Sequence, residues 1–468
     1  VQIVVSLAIG VVQKASIKEQ FMSETIEKVA VQTEESRTQT RRAFIKGGLA
    51  VAGTVMFTKA AEAAYDPKTA VKPYAGKKEI TEVLEDGAER RMLGKGVMST
   101  TYSMPSPFEK EVRKRTLEWL TPDTLASISM TPIQSMHGTI VPNGLHFDRF
   151  HGGAPDIDPA THKLVIHGLV ERPLMFTMDD LKRMPSVSRV YFLECPANGA
   201  LEWKGVQVNS VQWSHGMMSC SEWTGVPLSV LLKEAGVKPE GRWLLPEGAD
   251  ASGLIRSIPM EIALDDCMVA YAMNGEALRP GQGYPIRLVV PGCEGNMWVK
   301  YLRRIKVTDK PLHHREESSK YSELMPDGTI QRFSWTMEAN SVITYPSPDF
   351  KMSGPGRYVA KGIAWSGRGR ITHVDISIDG GKNWKEAKFT SVALPKAWTR
   401  FELEFDWDGS EIFLMSRATD ETGYVQPPMV QMRNTIGTNG VYHRTAMVTW
   451  RVHAWKSDRA GEIENVQY

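Results

Sequence analysis

The sequence is poor in cysteine, has no long apolar run, and carries no excess of either charge. Four cysteines in 468 residues are too few for a scaffold built on disulfides. The apolar stretch Ile3 to Val12 is well short of the roughly 20 residues that a membrane helix needs. Lys and Arg total 56 against 54 Asp and Glu, a net +2, which excludes a nucleic-acid binder working through a basic field. Neither the Gly and Pro content nor the charge is extreme, so collagen-like, disordered and coiled-coil chains are excluded too. Several chemical signatures are also missing: G-x-x-x-x-G-K-[ST], H-E-x-x-H and G-x-S-x-G do not occur. C-x-x-C-H is absent, which excludes covalently attached haem. Gly281-Gln282-Gly283 reads as a turn. What remains is a globular chain, 42% hydrophobic and 24% charged, with room for about three domains at roughly 150 residues each.

Near the N-terminus, Thr40-Arg41-Arg42-Ala43-Phe44-Ile45-Lys46 precedes a weakly apolar stretch, Gly47 to Thr58, and then Ala61-Glu62-Ala63. Paired arginines, a short apolar region and an A-x-A end are expected of a twin-arginine export signal within an extension at 1–63. That route carries folded proteins, so the expectation is a periplasmic protein with a bulky prosthetic group.

Residues 64–125 form an N-terminal arm with one helical-looking piece, Glu109 to Leu120. Across 126–310 short apolar strands such as Lys163–Val170, Val190–Cys195 and Ile286–Val290 alternate with helices. Thr177 to Met184 has an N-cap Thr with Asp180 placed to bond back, and Pro227 to Ala235 is stopped by Gly236. Residues 311–344 connect this part to a region of different character at 345–455, followed by a tail at 456–468. In Phe401-Glu402-Leu403-Glu404-Phe405-Asp406-Trp407 apolar and acidic residues alternate, the period of a half-buried strand. Val374, Ile376 and Ile378 alternate likewise before the turn Asp379-Gly380-Gly381-Lys382. The expected fold is α+β: a mixed α/β domain followed by an immunoglobulin-like β-sandwich.

Cys195, Cys220, Cys267 and Cys293 stand apart, with no zinc spacing. Cys195 ends an apolar strand and enters Pro196-Ala197-Asn198-Gly199. A cysteine there is either a small buried hydrophobe or a soft ligand for a metal whose other ligands come from a cofactor.

Several segments resemble the sulfite oxidase family of molybdopterin enzymes, in the right order. They are Phe147-Asp148-Arg149-Phe150-His151, Leu193-Glu194-Cys195-Pro196-Ala197-Asn198-Gly199, Trp213 with Glu222-Trp223-Thr224-Gly225, Ala270 to Leu278, Tyr284 to Gly292, Val299 to Leu302, and Asp379 to Trp384 with Arg417 to Asp420. The resemblance implies a molybdenum–molybdopterin cofactor with Cys195 as the protein's ligand to the metal. Arg149 and His151 would then line an anion pocket, and Tyr321 would match the family's active-site tyrosine. Trp213, Arg287 and Lys300 would face the cofactor, the two cations being partners for its phosphate. The resemblance further implies oxygen-atom transfer to sulfur, a dimer formed through the sandwich, and a separate c-type cytochrome as electron acceptor.

One departure bears on substrate. Many members of the family place an arginine shortly after the cysteine. Here the loop runs Gly199-Ala200-Leu201-Glu202-Trp203, with no arginine and an added carboxylate. Losing a cation beside the metal weakens binding of a small dianion. In this the chain is similar to a narrower branch, the molybdenum subunits of sulfane dehydrogenases (SoxC type), whose substrate is sulfane sulfur on a carrier protein. A dehydrogenase for free sulfite, a molybdenum sulfoxide reductase and a non-enzymatic periplasmic binding module stay open as alternatives.

Overall fold

The computed structural model describes residues 126–466 apart from 333 and 441, with a few residues between 105 and 116. The expected export signal and nearly all of the expected arm lie outside the described residues. No described helix is long and apolar enough to cross a membrane.

Two five-stranded sheets make the first half of the described chain. One runs in the order Leu174–Thr177, Lys163–Gly168, Leu302–Thr308, Trp243–Gly248, Ile258–Pro259. Its single parallel pairing joins Lys163–Gly168 to Leu302–Thr308, and between those strands the chain makes a long excursion that returns to the sheet midway, at Trp243–Gly248 and Ile258–Pro259. Within that excursion lies the second sheet, in the order Glu276–Ala277, Met268–Met273, Met218–Pro227, Val187–Glu194, with Arg287–Val289 also paired to Met268–Met273. The helix Met178–Arg183 starts with the capping box expected of Thr177 and Asp180. Leu228–Ala235 ends at Gly236, whose φ of 69° is the left-handed conformation that stops a helix cheaply.

The expected helix over Glu109 to Leu120 is corrected where it can be seen. Lys114–Thr116 is a strand, paired antiparallel with Ile128–Met130, which in turn pairs Asp148–Arg149. Alternating charges suit an edge strand as well as a helix face, and pairing with a buried neighbour decides between them.

From Asn340 onward two antiparallel sheets stack. One holds Asn340–Tyr345, Gly356–Trp365, Thr399–Trp407 and Lys388–Phe389. The other holds Lys385–Glu386, Ile371–Ser377, Ile412–Asp420, Thr449–Val452 and Ile463–Val466. Phe401, Phe405 and Trp407 point into the core while Glu404 and Asp406 face water, the alternation expected of the strand. Gly380 and Gly381 both have positive φ, as the turn after Ser377 demands.

The strand Val187–Glu194 positions the site because it belongs to two cores. Tyr191 and Leu193 pack in the core of the first half, whereas Phe192 between them packs in the core that fills the sandwich. The strand's last four residues, 191–194, are buried on both faces and cannot slip register without exposing one set of side chains. Glu194 extends the clamp by accepting a 2.6 Å bond from Trp365 of the sandwich. Phe192→Ala is therefore expected to cost about 3–5 kcal/mol in chemical denaturation, the range for emptying a buried aromatic site. A loss below about 1 kcal/mol would show that the site collapses easily and that this strand is not clamped.

Candidate active site

Cys195 follows directly on the clamped strand, and its loop is tied down by several bonds. Its amide donates to Met217 O at 3.0 Å, and Asn198 N donates back to Cys195 O at 2.8 Å. The Asn198 side chain donates to Glu194 Oε1 (2.9 Å) and accepts from Met217 N (3.1 Å). Gly199, at φ 76°, donates to Ser214 O. The result is a half-buried thiol on a rigid loop, at the meeting of two cavities.

Cys195, Arg149, His151 and Tyr321 line both cavities. Arg287 and Lys300 line only the first, with Asp250, Gln282 and Asn296. Trp213 lines only the second, with Ala197, Gly199, Ala200, Leu201 and Met217. The seven residues expected from the sequence thus border these two cavities, but Trp213 lines a different one from the two cations with which it was grouped.

Tyr321 adopts a φ of 45°, uncommon for a bulky residue, and its hydroxyl lies 3.0 Å from His151 Nε2. Burial first, then Arg149 and Lys300, holds His151 down at about 3, so the imidazole is neutral at physiological pH. Neutral Nε2 then accepts from the phenol, a tautomer assigned from this contact. Burial likewise pushes the Tyr321 phenol well above its ordinary range, so it keeps its proton.

Behind Tyr321 lies a charged cluster that sequence reading missed. The Arg256 guanidinium sits 5.0 Å from the Tyr321 ring centre and donates to Glu294 Oε1 at 3.0 Å. Glu294 Oε2 is 3.1 Å from His443 Nε2, and Glu317 is 3.5 Å from Arg256. Burial would raise Glu294, but Arg256 and His443 bring it below its usual value. These residues lie far apart in sequence, and no motif links them. Gln282 was missed as well: inside the apparent glycine turn it is buried and donates to Phe147 O at 2.7 Å.

The first cavity carries the donors that a phosphorylated pterin needs. Arg287 gives Nη1 to Gln282 and Nη2 to Trp298 O, yet its buried Nε has no hydrogen-bond partner. Lys300 Nζ donates to Arg149 O and Gly281 O, and burial, with Arg287 nearby, lowers it to about 7. Among the described residues no cluster of three His, Cys, Asp or Glu could hold a metal unaided. A metal at Cys195 would have one protein ligand and take the rest from a cofactor. Burial raises the thiol to about 11, against Ala197 N–H and Arg149, so a soft cation is what would strip its proton. The residues fit a molybdenum–pterin group.

A lone cysteine on a rigid loop, with a cavity of amide and cationic donors beside it, fits a pterin-cofactor oxidoreductase. Known proteins agree. Residues 151–316 match the oxidoreductase molybdopterin binding domain, and 331–449 match the Mo-co oxidoreductase dimerisation domain. Chicken sulfite oxidase is 32% identical over 334 residues, spanning 65% of this chain and 72% of that protein. The NADH nitrate reductase of Ulva prolifera is also 32% identical over 334 residues, but the chain spans only 38% of its length. The crystal structure of the sulfane dehydrogenase SoxCD from Paracoccus pantotrophus superposes with a TM-score of 0.78 at 52% identity, covering 82% of this chain and 98% of that one. The chain belongs to the sulfite oxidase family of molybdopterin oxidoreductases.

Proposed function

We propose that this chain is the molybdenum subunit of a periplasmic sulfane dehydrogenase. In this reading it oxidises sulfane sulfur held as a persulfide on a carrier protein and passes the electrons to a separate c-type cytochrome. The observation that carries the reading is the second cavity. Its wall along the cysteine loop is Ala197, Gly199, Ala200 and Leu201, with no cation among them. That side of the cavity suits an uncharged peptide arm better than a free dianion, while Arg149 and Lys320 on the rest of its wall meet the oxyanion that grows on sulfur. Likeness to SoxCD supports the same reading. The sandwich offers a surface for self-association, in keeping with the dimerisation domain it matches.

When bound, the molybdenum–pterin group supplies oxygen-atom transfer and two-electron redox chemistry. The chain's own residues provide the rest. Cys195 would hold the metal through one thiolate, and Arg287 and Lys300 would hold the pterin phosphate. Arg149 offers a planar pair of donors to the oxyanion that grows on sulfur. The Tyr321 hydroxyl donates to neutral His151, which leaves the phenol oxygen able to accept a hydrogen bond from the cavity.

The test compares electrons delivered to cytochrome c per sulfur, from carrier persulfide and from sulfite, at known molybdenum content. We expect kcat/KM for the carrier to exceed that for sulfite by about a hundredfold, some 2.7 kcal/mol of transition-state stabilisation. The reverse order would make the protein a sulfite dehydrogenase.

A further inference from the structure

The loop after Cys195 contains a charge that never reaches solvent. Glu202 closes the short turn Ala200–Glu202, and its Oε2 lies 2.6 Å from Arg444 Nη2, with side-chain exposures of 0% and 1%. Its other oxygen accepts from Asn465 Nδ2 at 2.7 Å. Arg444 runs directly beneath the wall of the second cavity: a Cβ built on Gly199 would stand 2.7 Å from its Cδ. Only a glycine backbone therefore separates the arginine stem from the space in front of Cys195.

Stability alone does not account for the pair. A buried ion pair is often no better than well-packed apolar residues of the same volume. This one also leaves Arg444 Nε buried without a hydrogen-bond partner, so the guanidinium is not saturated by its surroundings. Its electrostatic consequence is clearer. An unpaired guanidinium so close, through low dielectric, would give the cavity a field that attracts anions. With Glu202 against it, the pair adds only a dipole, whose field falls off much faster, to the charges of Arg149 and Lys320 that already line the cavity.

We propose that Glu202 is a specificity determinant: by neutralising Arg444 beneath Gly199 it disfavours a free dianion relative to a sulfur atom presented on an uncharged arm. This rests on the function proposed above and names the residue that enforces it.

The experiment uses the molybdenum-loaded protein and sulfate, an unreactive tetrahedral dianion, as probe. Sulfate binding is read both from thermal protection at constant ionic strength and from competition with turnover. Glu202→Gln is expected to bind sulfate at least about tenfold more tightly than the parent, with the gain shrinking as potassium chloride is added. The double variant Glu202→Gln/Arg444→Gln is expected to return to within about twofold of the parent. An unchanged affinity in the single variant, or a double variant as tight as the single, overturns the proposal. Should Glu202→Gln not fold with its arginine unpaired, Ala200→Arg places a cation on the same wall with the pair intact. It is expected to show the same gain, and no gain overturns the proposal. A parent that prefers sulfite to the carrier overturns the function proposed above, whereas the sulfate shift still decides what Glu202 does.

Discussion

Replacing Cys195 with serine is expected to leave a folded protein that copurifies with little molybdenum and turns over at least about a thousandfold more slowly, a loss of some 4 kcal/mol in transition-state stabilisation. Cys195 is the one cysteine bordering either cavity. Cys220, Cys267 and Cys293 are buried, and burial raises each thiol well above its ordinary value, as expected of inert core residues. No trio of metal-binding side chains stands ready among the described residues to compensate. A serine hydroxyl is hard and keeps its proton at neutral pH, so it cannot replace a soft thiolate. The fold should survive, because the loop is held by Asn198, Glu194 and Gly199 rather than by the sulfur. Metal analysis beside thermal melts of metal-free parent and variant checks both halves. Molybdenum retained at the parent level would remove Cys195 as the ligand.

How much of this was legible in the sequence depends on how local the signal is. The strand Thr399–Trp407 follows from its own alternation, and the helix Met178–Arg183 from a capping box three residues wide. Cys195 is legible because a strand end and a Pro/Gly loop are adjacent in the chain. Arg256, Glu294, Glu317 and His443 are not, since Glu294 and His443 meet across 149 positions and each alone looks like any charged residue. Gln282 hides for another reason. Pro280–Gln282 is a turn, as its glycines indicate, but the destination of its side chain is a tertiary fact. The reading of Glu109 to Leu120 as helical failed at Lys114–Thr116 because backbone pairing to Ile128–Met130 outweighed a weak charge pattern.

Arg149→Gln is expected to lower kcat/KM by about a hundredfold at equal molybdenum content, near the upper end of the 1.5–3 kcal/mol for a charged hydrogen bond. The residue lines both cavities, and the short strand Asp148–Arg149 fixes its backbone against Ile128–Ser129. Its Nη1 is anchored on the neighbouring Phe150 carbonyl, so the side chain is positioned before any ligand arrives. Glutamine keeps polarity but loses both the charge and the paired donors that match a sulfur oxyanion. Lysine keeps the charge as a point, so Arg149→Lys should recover only part of the loss. The pH profile gives a second readout. Burial first, and Arg149 next, hold His151 down at about 3. Removing the cation lets that value rise, while burial still keeps it below 6.5. Protonated His151 cannot accept from the Tyr321 hydroxyl, so the acid limb of kcat/KM should move to higher pH in Arg149→Gln than in the parent. An unchanged kcat/KM together with an unmoved acid limb would place Arg149 outside the reacting pocket. The oxyanion would then have to be met by Lys320, the other cation on the wall of the second cavity.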